Sequence, residues 1–192
     1  MRWFDKAVRL NNMVCPWWLC HSFDNPLRRL VHDPERILKP YLKPGMTAVD
    51  IGCGMGYFSL GMAKWVGSGG KVVAVDLQEK MLAALGSRAR KSGLDNRIVL
   101  HRCRPDHLDL QVSADFVLAF WMVHEVSDTP RFFDEIFSLL KTGGRLLVVE
   151  PKVHVTRKRF KKTAEVCRAS GFRSLGEPAV ALSRSVLLAK DL

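Results

Sequence analysis

Three alternating glycines constrain the fold of this 192-residue chain more than any other feature. They are Gly52, Gly54 and Gly56, which follow the apolar segment 46–51 and precede an amphipathic segment. This order predicts a buried β-strand that turns tightly into an α-helix. Such a turn is suited to ligand binding, because glycine permits close approach to the backbone and the first N–H groups of a helix lack intrahelical partners.

Two aspartates narrow the class of ligand. Asp50 lies two residues before the first glycine, where a carboxylate would repel a pyrophosphate but suits a ligand that carries an ammonium group. Asp76 ends a second apolar run, 71–75, and nucleotide-binding α/β folds place an acid at this point to bind ribose hydroxyls. No Gly-Lys-Ser/Thr follows the glycines, which excludes a phosphate-binding P-loop.

With this combination the chain resembles the class I S-adenosylmethionine-dependent methyltransferases from about residue 33 to its C-terminus. Segment 50–56 (Asp-Ile-Gly-Cys-Gly-Met-Gly) matches the first motif of that family, and Asp76 matches its ribose-binding acid. Further matches are the fourth strand at 114–117, the following loop at 123–128 and the entry to the fifth strand at 140–146. The resemblance implies an enzyme that uses S-adenosyl-L-methionine as the methyl donor.

The sequence pattern predicts an α/β fold in which strands and helices alternate. Asp33 and Pro34 begin the first predicted helix. Later helices are predicted at 79–91 and 156–170, and strands at 46–51, 71–75, 97–102, 115–120 and 145–149. Two strand-like runs, 172–180 and 185–190, follow. The resemblance implies that they form a closing hairpin in a Rossmann-like, doubly wound sheet of seven mostly parallel strands with helices on both faces.

Residues 1–32 differ from the rest and are predicted to form a short N-terminal helical cap, which leaves 33–192 as the catalytic domain. The cap is rich in aromatic residues, among them Trp17 and Trp18. We favour a lid over the acceptor site, because segments before the first strand often have that role in the resembling family; the alternative is plain coverage of a core edge. Cys15, Cys20 and His21 match no common zinc-site spacing, so no metal is predicted.

Composition limits the partners and the cell compartment. The formal net charge of +11 attracts nucleic acid, anionic lipid or an acidic small molecule alike. Five cysteines without a CxxC pair argue against a disulfide framework and indicate a cytoplasmic protein, expected to be a monomer or homodimer. The apolar stretch 13–20 is too short for a transmembrane segment and lacks the flanks of a signal peptide.

Segment 152–162 carries six basic residues and no acid. Phe160 and Cys167 recur on one stripe at helical spacing, which places most of these charges on the opposite face of a helix. We favour a solvated face over a phosphate-binding patch, because charge runs at helical spacing usually face water.

The resemblance assigns the cofactor to residues near the ends of the first four strands. They are Asp50, Gly52, Cys53, Gly54, Gly56, Tyr57, Phe58, Asp76, Leu77, Met81, Arg104, Pro105, Asp106, Phe120 and Trp121. The two aromatic residues at 120 and 121 can present π faces to a sulfonium. Arg104 stands where the family usually has an acid for the adenine amino group. Either Asp106 takes that role, or backbone groups and the Pro105 ring hold the adenine.

Methyl transfer from a sulfonium mainly requires an aligned acceptor in a dry site. A base helps when the acceptor is protonated at neutral pH, whereas a thiolate or ionised phenol needs none. His124 is the favoured catalytic base, and the alternative is a histidine that only packs within its loop. The predicted acceptor is a small molecule, with RNA or protein bound through the basic surface 152–162 as the alternative. Candidate acceptor-binding residues are Trp17, Trp18, His21, His124, Glu150 and His154.

Overall fold

The computed structural model describes residues 28–191, which form one β-sheet flanked by helices. Its helices are α1 (Arg28–Val31), α2 (Pro34–Leu38), α3 (Ser59–Trp65), α4 (Glu79–Lys91), α5 (Thr129–Leu139) and α6 (Arg157–Ala169). Its strands are β1 (Thr47–Ile51), β2 (Lys71–Asp76), β3 (Ile98–Arg102), β4 (Ala114–Phe120), β5 (Leu140–Pro151), β6 (Phe172–Gly176) and β7 (Ser183–Lys190). Single 3-10 turns lie at Lys39–Tyr41, Asp95–Arg97 and Val123–Glu125.

The seven strands follow the order β3-β2-β1-β4-β5-β7-β6. Strands β1 to β5 run parallel, and β7 runs antiparallel to both of its neighbours, β5 and β6. This arrangement confirms the Rossmann-like, mostly parallel α/β sheet. The order reverses direction between β1 and β4, and in such sheets the crevice for a ligand opens beyond the carboxyl ends at that point.

Alternating side chains of the central strands build one core on each face of the sheet. In β1, Val49 belongs to the core that contains Phe133 and Ile136 of α5, while Ala48 belongs to the core that contains Met62 of α3 and Leu85 of α4. Both faces of the central strands are therefore covered by helices, which explains why their sequences are mostly apolar.

The C-terminal half differs from the sequence pattern in its boundaries. β6 ends at Gly176, four residues before the expected end, where a φ of +145° and a register shift interrupt its pairing with β7. β5 begins at Leu140, because its first residue pairs with Ala114 before a bulge. The sequence pattern gave no boundaries for α5. This helix begins after Asp128, and the Asp128 side chain accepts a hydrogen bond from Arg131 N (3.1 Å).

Helix α6 has the predicted two faces. Phe160 and Cys167 are buried, whereas Arg157, Lys158, Arg159, Lys161 and Lys162 are exposed. Thr156 caps this helix by accepting a hydrogen bond from Arg159 N (3.2 Å). Across 28–191, none of the helices combines the length and apolarity needed to cross a bilayer.

Only the last residues of the predicted cap are described. Helix α1 and His32 belong to it, and the His32 ring lies edge-on to Phe120 with centroids 5.3 Å apart. Trp17, Trp18 and His21, as well as Cys15 and Cys20, lie outside the described residues.

Candidate active site

A cavity of about 570 Å³ opens at the carboxyl ends of the parallel strands. Its wall comes from the glycine turn after β1, the end of β2, the loop after β3, the turn after β4 and the segment after β5. It brings together most of the predicted site residues: Asp50, Gly52, Cys53, Gly54, Tyr57, Phe58, Asp76, Leu77, Met81, Arg104, Pro105, Asp106, Phe120, Trp121, His124 and His154. Gly56 and Glu150 are not part of its lining.

Two glycines of the turn have different structural roles. Gly54 lines the cavity with φ +53°, and apart from Gly54 itself and its two chain neighbours no atom of the described residues lies within 4 Å of the point where a Cβ would stand. A ligand therefore has direct access to the backbone there. At Gly56 a Cβ would lie 2.1 Å from Leu85 Cδ1, so this glycine permits close packing of the turn against α4.

The Asp76 carboxylate is fixed at the cavity wall by backbone donors. Its Oδ2 accepts a hydrogen bond from Gly54 N (2.9 Å), and its Oδ1 accepts one from Gln78 N (2.8 Å). Burial raises the pKa of Asp76, and these hydrogen bonds oppose the rise. Each carboxylate oxygen has a second lone pair, so the group can also accept hydrogen bonds from two vicinal hydroxyls.

Asp50 lies deeper, at the end of β1. It is 2% exposed, and Ser59 Oγ donates a hydrogen bond to its Oδ2 at 2.5 Å. Burial raises the pKa of Asp50 to about 6, with the Asp76 charge acting in the same direction and Ser59 and Arg28 opposing it. A cationic ligand in the cavity would favour the ionised form, as expected for a site that receives an ammonium group.

The raised pKa of Asp50 predicts a stability cost at neutral pH. Asp50→Asn should raise the free energy of unfolding at pH 7 by about 1–3 kcal/mol, because the amide keeps an acceptor for Ser59 without a buried charge. The difference in the free energy of unfolding between Asp50→Asn and wild type should shrink as the pH falls from about 6 towards 3.8, because the folded wild type takes up a proton at Asp50 before the unfolded chain does.

Denaturant titrations of both proteins between pH 7 and pH 4 measure this difference. Asp95→Asn, which changes an exposed aspartate of a 3-10 turn, is the matched control and should leave the profile unchanged. A gap between Asp50→Asn and wild type that stays constant across the titration would refute the assignment of the ionisation to Asp50.

The turn after β4 directs His124 towards β5. Trp121 has a φ of +58°, and its backbone N–H donates to Val149 O at 2.7 Å. A left-handed conformation is costly for a residue other than glycine, and such strained residues cluster at functional sites. The reversal places the 3-10 turn Val123–Glu125 beside the end of β5, where Glu150 lies.

His124, which lines the cavity, forms a hydrogen-bonded pair with the buried Glu150, which does not. The His124 Nδ1 and Glu150 Oε2 atoms are 2.9 Å apart, and the side chains are 17% and 2% exposed. Val123 N donates to the other carboxylate oxygen at 3.1 Å. In the tautomer that this contact favours, Nδ1 of a neutral His124 donates to the carboxylate and Nε2 carries the lone pair. Since His124 lines the cavity, the pair can hold a base there.

The loop after β3 contains the residues considered for the adenine. Arg104 forms an ion pair with Asp109, with its Nη2 2.8 Å from Asp109 Oδ1, and Asp106 is exposed at the cavity edge. Glu135 of α5 anchors this loop, because its carboxylate accepts a hydrogen bond from Leu108 N (2.7 Å) and lies 3.0 Å from His107 Nδ1. Burial raises the pKa of Cys103 to about 11, so this cavity residue is a neutral thiol.

Several cavity residues were not predicted from the sequence: Arg28, Met122, Val126, Phe132, Glu135 and Val153. Met122 packs so closely that a Cβ at Gly52 would lie 2.9 Å from its Cβ. Glu150, a candidate acceptor-binding residue, is buried outside the cavity lining, and its carboxylate is hydrogen-bonded to His124. In the sequence, Glu150 is recognisable only as an acid at the end of an apolar run, and no motif links it to His124.

The residues that line the cavity fit S-adenosylmethionine, the methyl donor expected from the sequence. Gly54 leaves room for the ligand against the backbone, Asp76 offers two anchored acceptors for ribose hydroxyls, and Asp50 offers a negative charge for an ammonium. The Rossmann-like sheet together with this site defines the class I S-adenosylmethionine-dependent methyltransferases.

Comparisons with known proteins agree with this class. A family model described as a methyltransferase domain matches residues 42–180, and the chain belongs to this family. A crystal structure of an S-adenosylmethionine-dependent methyltransferase from Aquifex aeolicus matches with a TM-score of 0.83 and 25% identity. The match covers 92% of this chain and 100% of that chain.

Two curated relatives are named as methyltransferases of a quinone. A demethylmenaquinone methyltransferase from Symbiobacterium thermophilum is 32% identical over 117 residues, which cover 60% of this chain and 47% of that protein. A 2-phytyl-1,4-naphtoquinone methyltransferase from Synechococcus elongatus is 32% identical over 111 residues, which cover 56% and 47%. The chain thus spans about half the length of the curated relatives that it matches.

Proposed function

We propose that this protein transfers a methyl group from S-adenosylmethionine to a small aromatic acceptor that carries an acidic hydroxyl, such as a phenol or quinol. The observation that carries the proposal is the hydrogen-bonded pair of His124 and Glu150 at the wall of the cavity. A positioned general base assists an acceptor that is protonated at neutral pH, whereas a thiolate acceptor needs none. The names of the two curated relatives, a demethylmenaquinone and a 2-phytyl-1,4-naphtoquinone methyltransferase, support the same acceptor class.

The cavity wall around His124 supports an aromatic acceptor. Trp121, Met122, Val126 and Phe132 line the cavity on this side. Trp121 is held by a hydrogen bond from its Nε1 to Ser183 Oγ (2.9 Å). Apolar and aromatic walls with few polar groups are typical of small-molecule sites, and about 570 Å³ lies within their usual range of roughly 300–1,000 Å³.

The chemistry divides between the cofactor and the protein. When bound, S-adenosylmethionine supplies an electrophilic methyl group. The protein orients the acceptor against the apolar wall, where water is excluded. His124 Nε2 accepts the proton of the acceptor hydroxyl, which leaves the acceptor with the electron pair that methylation requires. Glu150 then stabilises the imidazolium through the Nδ1 hydrogen bond.

The exposed basic face of α6 defines the alternative acceptor class, RNA or protein. Lys158, Lys161 and Lys162 are exposed on this helix, and none of them lines the cavity. Arg159 contributes to the site indirectly, because its Nη2 donates to His124 O at 2.8 Å. The exposure of these charges and their absence from the cavity lining support a solvated face, the interpretation favoured from helical spacing.

Methyl transfer from isotope-labelled S-adenosylmethionine tests the proposal. Wild-type protein should label small phenols or quinols and leave RNA unlabelled. The triple variant with Lys158, Lys161 and Lys162 replaced by Gln should have a kcat/KM within about twofold of wild type, because these charges lie away from the cavity. Labelled RNA, together with RNA affinity that falls steeply with salt and less steeply in the triple variant, would instead support the macromolecular acceptor.

A further inference from the structure

We propose that Arg28 binds the carboxylate of the methionyl part of S-adenosylmethionine. The inference deepens the proposed function and rests on its methyl donor, but it is independent of the acceptor. Arg28 precedes the segment 42–180 that matches the methyltransferase domain, and no sequence motif marked it as a site residue.

The Arg28 guanidinium lies over the aromatic side chains at one end of the cavity. Its Cζ is 4.3 Å from the centroid of Tyr57, 5.4 Å from that of Phe58 and 5.9 Å from that of Phe120. Two of these rings belong to the glycine turn and the third ends β4. The cation is thus held at the junction of β1 and β4, and it lines the cavity.

Several contacts attach the segment of Arg28 to the site. Tyr57 Oη donates a hydrogen bond to His32 O at 3.0 Å. The His32 ring lies edge-on to Trp121 with centroids 4.9 Å apart, and its Nε2 is 2.8 Å from Ala181 O. The segment that carries Arg28 is therefore joined to the glycine turn, the end of β4 and the residues before β7.

Charged side chains lie at both ends of the cavity. Asp76 and Arg104 lie at the ends of β2 and β3, where the adenosine part of the cofactor belongs if Asp76 binds the ribose. In the sheet order, β1 and β4 lie on the opposite side of β2 from β3. The methionyl part would therefore extend towards Asp50 and Arg28. That part carries one ammonium and one carboxylate. Asp50 matches the first charge and Arg28 matches the second.

Other cations are poorly placed for this task. Among the described residues that line the cavity, the arginines and lysines are Arg28 and Arg104. Arg104 is at the opposite end and engages Asp109 with two nitrogen atoms. A guanidinium has five N–H donors, so Arg28 can bind a carboxylate with two of them while its other contacts persist. Its charge also reaches Asp50, whose pKa it lowers against the effect of burial.

Isothermal titration calorimetry with two ligands tests the assignment. S-adenosylhomocysteine has both the ammonium and the carboxylate, whereas S-adenosyl-3-thiopropylamine lacks only the carboxylate. Arg28→Gln should weaken S-adenosylhomocysteine binding by about tenfold to a hundredfold, as expected for a lost charge-assisted contact. The same variant should bind S-adenosyl-3-thiopropylamine at least as tightly as wild type, because a cation near the ammonium has been removed. Arg28→Lys should recover part of the lost affinity.

Arg29→Gln is the matched control, since Arg29 is exposed and does not line the cavity, and it should leave both affinities unchanged. Equal weakening of both ligands by Arg28→Gln, or no weakening of either, would overturn the assignment. Failure of the wild type to bind S-adenosylhomocysteine would instead remove the methyl donor itself and the proposed function with it. Thermal unfolding of each variant verifies that it is folded during the titration.

Discussion

Replacement of His124 by Gln is expected to lower kcat by about 10²- to 10⁴-fold, the usual contribution of a positioned general base. Binding of S-adenosylhomocysteine should change by less than about twofold, because the residue acts on the acceptor proton and not on the donor. Glu150→Gln should also lower kcat, since its amide N–H₂ can donate to Nδ1 and so favour the tautomer in which Nε2 is protonated.

Steady-state rates with the identified acceptor, together with calorimetry, check this prediction. His101→Gln is the control, because His101 lies outside the cavity with its Nε2 2.7 Å from Leu108 O, and its kcat should remain near that of wild type. A His124→Gln enzyme that retains full kcat would show that the histidine only packs in its loop, which is the alternative left open by the sequence. The acceptor would then ionise without help from the protein.

Replacement of Asp76 by Ala is expected to weaken binding of S-adenosylmethionine and S-adenosylhomocysteine by about 1–3 kcal/mol. The change removes the acceptors for the ribose hydroxyls and also leaves Gly54 N and Gln78 N without the carboxylate that orders the turn. Because the site lies in the core fold, we expect one ligand per chain in the wild type.

Calorimetric titration of the folded variant measures this loss. Asp95→Ala, at an exposed position outside the cavity, should bind like wild type. Undiminished affinity in Asp76→Ala would remove the ribose assignment. Tight binding of NAD by the wild type, without binding of either sulfur compound, would contradict the choice of cofactor altogether.

The fold and the glycine turn were predictable from short stretches of sequence. The apolar run, the three glycines and Asp50 stand within one segment, 46–56, and their conformations follow from local sterics and from burial on both faces of a parallel strand. Asp76 was recognisable because it directly ends the next apolar run. Boundaries near β5 and β6 were harder to predict, since a bulge and the pairing of β7 set them, and those depend on distant residues.

The pair of His124 and Glu150 shows the opposite case. His124 and Glu150 are 26 residues apart, and their hydrogen bond depends on the pairing of β4 with β5 and on the left-handed turn at Trp121. Glu135 is likewise brought to the loop after β3 by the packing of α5. Such residues carry no motif, because their partners are chosen by the sheet order and not by sequence spacing.

The sequence by itself therefore determined the class of fold, the glycine turn and the two aspartates that suit a charged nucleoside ligand, because each depends on neighbours in the chain. Only the tertiary structure decided that Glu150 supports His124 and that Arg28 lies over Tyr57 at the cavity. The physical reason is that a side chain's charge and protonation act through space. Their partners are set by the strand order, which joins segments that lie far apart in the sequence.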